Sequence, residues 1–381
     1  MLKKPTAEFD RIVYLFQGGG ALGAYQVGVF KCLHENGYFP NWFIATSIGS
    51  INSAIIVGNA PDQCINKLEE FWQTIATKIP PAPDTINNIY MERWQHFLSA
   101  FITENIGQPG FFKPRWWNPW FSLQSSVDKL SYYDTSELRD TLTRFIDFDR
   151  INEQKIRLSM GSVRVATGKL VYFDNTKHII TPEHIMASAA LPPGLPAISV
   201  DGGMYWDGGV HSNTQINLLG TDDQPINSLC FMVHLFNSLG TRPATMDDLL
   251  KRQKEISYSS HHKLFIKAYQ SLHNLRHAIR ILGDHLSTDQ KKDPRLQKLI
   301  ALGKCGSIQL ARFHYQGKIS DLSTKDFDFS WSSIMDHMKT GYADVAKTLK
   351  DPPWNKPHHG DIGIVIHELS DTPIDDDDPF V

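Results

Sequence analysis

The sequence predicts an α/β fold, a three-layer α/β/α sandwich around a mainly parallel central sheet, and two observations carry that prediction. Residues 11–17, RIVYLFQ, are rich in β-branched and aromatic types, stop at Gly18-Gly19-Gly20 and lead into ALGAYQVGVFKCLHENG, which keeps helical spacing up to Gly37. The form then repeats, with NWFIATS (41–47) as a short strand and IGSINSAIIVGN (48–59) as a helix packed through small residues. Strand–turn–helix units in succession call for crossover connections, and crossovers make parallel strands.

The remaining elements follow in order. Residues 61–75 continue as helix, whereas 79–126 break the pattern: IPPAPD is followed by FFKPRWWNPWFSL, in which prolines sit among Phe111, Phe112, Trp116, Trp117, Trp120 and Phe121. This insertion reads as a proline-stiffened loop packed on the core, with a lid or interfacial wedge as the alternative. SELRDTLTRFI is helical, and RLSMGSVRV with KLVYFDN forms a hairpin around Ala166-Thr167-Gly168. PEHIMASAALP is a short helix opened by Pro182, and ISVDGGMYWDGGV holds two short strands around Gly202-Gly203. SLCFMVHLF (228–236) is a core strand, 245–286 a long helix or helix pair, SIQLARFHY (307–315) a late strand and 330–350 a helix. The chain thus divides into an α/β domain over 8–240, a mainly helical extension over 241–370 and an acidic tail over 371–381. The extension is expected to complete the sheet, dimerise or shape a pocket, and a homo-oligomer is compatible with it.

Hydrophobic residues at 41% and charged residues at 21% are globular values, which excludes disorder or a fibrous repeat for the bulk of the chain. A net charge of -3 gives no reason to expect a nucleic-acid partner. The basic stretch 251–294 reads as the solvated face of a helix, with membrane-surface contact as its alternative. Cys32, Cys64, Cys230 and Cys305 are widely spaced without a CxxC pair, so buried reduced thiols are expected rather than disulfides or zinc. MLKKPTAEFDR lacks the apolar stretch of a signal peptide, and no apolar run approaches the ~20 residues of a membrane span. The expectation is a cytoplasmic protein, at most peripheral at membranes.

Ser47 lies in Ala45-Thr46-Ser47-Ile48-Gly49 between a predicted strand and a predicted helix, the context of a nucleophile elbow. Gly18, Gly19 and Gly20 follow the first strand, where bare glycines leave backbone N–H groups free to hold a developing oxyanion. A phosphate-binding loop would end in Gly-Lys-Ser/Thr, and a dinucleotide site would carry an acidic residue where this chain has Ser47. Asp207, in Asp207-Gly208-Gly209, ends a strand; the similar Asp201-Gly202-Gly203 six residues earlier reads as a hairpin turn. His211, four residues after Asp207, would extend a Ser/Asp pair into a triad, against a surface or structural placement. His261-His262 lack a spaced partner set and read as exposed helix residues rather than metal ligands.

These three motifs in this order resemble the patatin-like phospholipase family over about residues 10–236, and Ala189-Ala190-Leu191-Pro192 is similar to the family's segment before its aspartate strand. The resemblance implies a Ser/Asp dyad without histidine: Ser47 as nucleophile, Asp207 as general base, and the N–H groups of Gly18, Gly19 and Gly20 as oxyanion hole. It implies an acyl-enzyme intermediate on a lipid or other acyl-ester substrate, phospholipase A-like, with no cofactor and no metal. Two positions depart from the family. Ala45 replaces a glycine and is expected to be tolerated sterically; Leu22 stands where many members have Arg or Lys, removing a positive charge expected near the mouth of the site. An esterase or thioesterase, a non-catalytic lipid-binding scaffold and a nucleotide-binding oxidoreductase are the competing readings.

Overall fold

A computed structural model of the chain describes residues 9–79, 89–121, 125–213, 215–220, 225–237, 242–318, 320–356 and 362–369. The acidic tail at 371–381 and the side chains of His261 and His262 lie outside the described residues.

The β-branched and aromatic run at the start forms β1 (Arg11–Phe16), and its glycines open α1 (Gly23–Glu35). The second unit gives β2 (Trp42–Ala45), α2 (Ile48–Val57) and α3 (Cys64–Thr74). Within the insertion the chain forms α4 (Ile89–Ile106), then pairs β3 (Lys113–Pro114) with β4 (Tyr133–Asp134) in a separate small sheet. Helices α5 (Ser136–Phe145) and α6 (Phe148–Asn152) precede the hairpin of β5 (Arg157–Arg164) and β6 (Leu170–Asp174). Next come α7 (Pro182–Ser188), the hairpin of β7 (Ile198–Val200) and β8 (Gly203–Asp207), and β9 (Ser228–His234). The chain ends with α8 (Met246–Asp284), α9 (Pro294–Leu302), β10 (Ile308–His314), α10 (Trp331–Thr348) and β11 (Ile364–Glu368).

The main sheet runs β11-β10-β9-β1-β2-β5-β8-β7, with β6 on the other edge of β5. From β11 to β5 every pairing is parallel; β6, β7 and β8 are antiparallel. Successive strand residues face opposite sides, which divides the core into two layers. Tyr14, Phe16, Phe43, Phe231 and Phe313 pack under α1, α2, α3 and α10, while Val13, Leu15, Trp42, Ile44, Cys230, Met232 and Leu310 face Ile216, Leu219 and Ile266. This is the expected α/β/α sandwich.

The segment beyond residue 240 contributes two strands to the same sheet as well as helices, so it completes the sheet. Its helix α10 crosses α1 at two glycines: a Cβ on Gly28 would lie 1.9 Å from the Met338 carbonyl oxygen, and one on Gly341 would lie 2.3 Å from that of Tyr25. All four cysteines are buried and unpaired.

Candidate active site

Register explains how two distant motifs meet. On β5, Met160 pairs with Ala45 at the end of β2, and Ser162 pairs with Asp207 at the end of β8. Residues 159 and 160 of β5 pair with both β2 and β6, and residues 162 and 163 with both β6 and β8, so β2 and β8 share one edge of β5. Because β8 is antiparallel, the two strands run toward each other and stop about two residues apart, roughly 7 Å. Ser47 and Asp207 occupy that junction, at the C-terminal edge of the parallel strands.

Ser47 has φ 57 and ψ −130, a conformation few non-glycine residues adopt and one that costs about 1–3 kcal/mol. The turn is held by the Ser47 N–H, which donates to the Ser188 carbonyl at 3.0 Å, and by Gly49 N–H to the Thr46 carbonyl at 3.0 Å. Gly49 is needed for close approach, because a Cβ there would lie 2.5 Å from the Phe16 carbonyl oxygen. Ala45 sits within β2, 1% exposed and in register with Phe16 and Met160, so the strand holds its methyl group in place of the family's glycine.

In the glycine loop, the Gly18 N–H donates to Asn213 Oδ1 at 2.8 Å and the Asn213 amide donates back to the Gly18 carbonyl at 2.9 Å. The N–H groups of Gly19 and Gly20 make no hydrogen bond among the described residues. The three glycines are therefore not equivalent: Gly18 is committed to the asparagine, whereas Gly19 and Gly20, which also line the cavity, keep unpaired N–H groups among the described residues. Leu22 is fully buried in the core, so position 22 does not border the mouth, which corrects the expectation of a charge lost there.

Asp207 is 1% exposed. Its Oδ1 accepts from the Gly209 N–H at 2.7 Å, while Oδ2 has no hydrogen-bond partner. Burial pushes its pKa up to about 7 against the opposing pull of the Ser47 hydroxyl and the Gly209 N–H. The hydroxyl is thus close enough to favour the carboxylate without closing a hydrogen bond to it, a separation common before substrate binds. Asp201 lies in the exposed β7–β8 turn at φ 46, as its glycines predicted. His211 is exposed and does not line the cavity.

The cavity in front of the serine measures about 240 Å³. Phe111, Phe112 and Tyr133 form one wall and Leu191 to Leu195 another; Phe236, Tyr258, Asp326, Phe327 and Phe329 close it from the C-terminal half. The insertion thus splits in a way neither sequence reading captured: Phe111 and Phe112 pack inward, while the tryptophans stay outside. Sequence reasoning also missed Asn213 and Gln215, whose amide donates to Thr46 Oγ1 at 2.8 Å. No motif marks them; only the fold carries them across 195 and 169 positions to their partners. Among the described residues no cluster of His, Cys, Asp and Glu is placed to hold a metal ion, and no helix is long and apolar enough to cross a membrane.

A mainly parallel α/β sheet with a lined cavity at the C-terminal edge of its strands places the chain in the three-layer α/β class, with its cavity where such folds bind their ligands. The patatin-like phospholipase model matches residues 14–219, more than half of the chain, and the chain belongs to that family of lipid-hydrolysing enzymes. A second model, described as patatin phospholipase, matches residues 256–361. Among solved structures, the chain is similar to VipD from Legionella pneumophila at 12% identity and a TM-score of 0.36, covering 91% of this chain and 69% of that one. It is also similar to full-length ExoU, crystallised with SpcU from the type III secretion system of Pseudomonas aeruginosa, at 14% identity and a TM-score of 0.28, covering 67% of this chain and 51% of that one. No curated protein matches the chain.

Proposed function

We propose that this chain is a serine lipid acyl hydrolase working through a Ser47/Asp207 dyad and an acyl-enzyme. The observation that carries the reading is the junction of β2 and β8, where a strained serine, a buried carboxylate and two unoccupied N–H donors border one apolar cavity. Asp207 accepts the Ser47 hydroxyl proton as Oγ attacks the ester carbonyl. The resulting oxyanion takes the N–H groups of Gly19 and Gly20, each such donor contributing about 3 kcal/mol of transition-state stabilisation. Gly18 supports the loop, its N–H donating to Asn213 Oδ1 instead of to the oxyanion. Collapse breaks the ester C–O bond, and the proton on Asp207 leaves with the alcohol. Water then gives a proton to Asp207 and adds to the acyl-enzyme; collapse releases the fatty acid, and the proton returns to Ser47 Oγ.

The test is turnover of p-nitrophenyl esters, together with fluorophosphonate labelling, in wild type, Ser47→Ala and Asp207→Asn. Wild type should turn over and label. Ser47→Ala should do neither, and Asp207→Asn should lose at least about 10³-fold in kcat while keeping its fold. A wild-type serine that stays unlabelled and inert would favour the non-catalytic lipid-binding reading.

A further inference from the structure

The part of the insertion that faces solvent is unusual for a folded protein. Trp116 is 94% exposed, Trp120 79%, Phe121 71% and Trp117 50%, in contact through the ring pairs Trp116–Trp117 and Trp117–Phe121. Large aromatics exposed together mark a surface that is covered in use. They are also held out by structure. The Arg115 N–H donates to the Tyr132 carbonyl at 2.9 Å, the Arg115 side chain bonds Ser131 Oγ and the Asp128 carbonyl and pairs with Asp134 at 3.5 Å, and Trp120 Nε1 donates to the Tyr132 hydroxyl at 2.9 Å.

The same support is the cavity wall. The N–H groups of Tyr132 and Tyr133 donate to the carbonyls of Pro193 and Gly194 at 3.1 and 2.9 Å, and Tyr133, Pro193 and Gly194 line the cavity. Leu191, also on that wall, is 39% exposed. The aromatic strap is therefore continuous with the cavity rim.

Charge selects the occupant. Residues 89–134 carry four Lys/Arg and four Asp/Glu, a net charge of zero. The described cavity lining contains Asp207 and Asp326 and no Lys, Arg or His. Exposed Lys113 and Lys129 are balanced by the acidic residues of the same stretch, so the surface has no net charge with which to select an anionic partner, whereas tryptophan and tyrosine, apolar with one polar group, suit the boundary between head groups and acyl chains. We propose that the strap around Trp116, Trp117, Trp120 and Phe121 docks on the zwitterionic face of a phospholipid bilayer and brings the cavity rim to it. The docking stands on the surface alone; the hydrolysis that follows rests on the proposed function.

The experiment uses the full chain, vesicles of phosphatidylcholine and the variant Trp116→Ala/Phe121→Ala, whose fold is checked by its melting temperature. Wild type should sediment with the vesicles equally at low salt and at ~1 M salt, where the Debye length is only ~3 Å. The variant should bind about tenfold more weakly, or ~1.4 kcal/mol. It should lose vesicle hydrolysis in proportion while its turnover of a short soluble p-nitrophenyl ester is unchanged. If wild type binds but hydrolyses neither substrate, the docking stands and the hydrolase reading falls. Equal binding by variant and wild type, or no binding by wild type, overturns the docking. So does binding that needs anionic lipid and disappears in salt, which would point to α8, where Leu272 and Leu275 are exposed and 256–283 holds Lys and Arg without a single Asp or Glu. A wild-type dimer that the variant turns into monomer overturns it equally.

Discussion

The base role proposed for Asp207 has a pH range set by the burial of its carboxyl group. With its pKa near 7, the fraction of carboxylate falls about tenfold per pH unit below that point, so kcat/KM on a neutral ester should rise through an apparent pKa close to 7 and then level. Stability should move the other way. The folded pKa lies above the unfolded value of about 4, so Asp207 favours folding fully only below pH ~4, and that contribution is lost as pH rises to about 7. Asp207→Asn should therefore gain stability over wild type progressively across that window, by a few kcal/mol at its end, while being inactive throughout. Urea titrations at pH 4, 6 and 8.5 measure it, and a gain that does not vary with pH would remove buried charge as the cause. At this scale Ser47 and Asp207 were legible because strand ends and small neighbours mark them locally. Asn213 was not, since a carboxamide declares its role only when its two hydrogen bonds to Gly18 are seen.

Helix α4 shows how an element can be hidden by its surroundings. Prolines on either side of 89–106 dominate the reading of the insertion, and Trp94, Phe97 and Phe101, at helical spacing, stay half-exposed instead of marking a buried face. The helix is pinned by polar contacts: His96 Nδ1 lies 2.5 Å from Asp328 Oδ2, Ser333 Oγ donates to the same oxygen, and Arg93 pairs with Asp247. Burial pulls the His96 pKa down, but the hydrogen bond and charge of Asp328, with Asp321 and Glu92 behind it, more than reverse this and raise it. Asp328 is lowered, its burial outweighed by His96. The histidine's contribution is complete below its unfolded pKa of about 6.5 and is lost as pH climbs through the raised folded value; the aspartate's is complete above about pH 4 and is lost as pH falls through its lowered folded value. The pin should thus be firmest between those limits. Amide exchange in α4, corrected for its intrinsic pH dependence, should lose protection as pH rises above about 6.5 in wild type and show no such change in His96→Gln. Equal behaviour of the two proteins would assign the anchoring to Arg93 instead.

Across the whole molecule, the chain beyond residue 240 cannot be separated from the rest without opening the sheet. Strand β10 pairs with β9 through seven residues, β11 pairs with β10, α10 lies on α1, and Phe327 and Phe329 close the cavity. The sequence read as mainly helical there because α8 and α10 are long and strongly patterned, whereas β11 is five residues long and half-exposed. The glycine crossing of α1 and α10 makes this continuity measurable. At Gly341 an added methyl group would meet the backbone of Tyr25 and Val29, which cannot yield as a side chain can, so Gly341→Ala should cost about 3 kcal/mol. In a single cooperative unit that cost is felt everywhere. Urea unfolding followed by far-UV circular dichroism and by fluorophosphonate labelling of Ser47 should give one transition in wild type, and in the variant both signals should shift together. A variant that lost part of its ellipticity first while its serine stayed reactive would show that the C-terminal segment unfolds on its own, and that α1 keeps the glycine loop in place without α10.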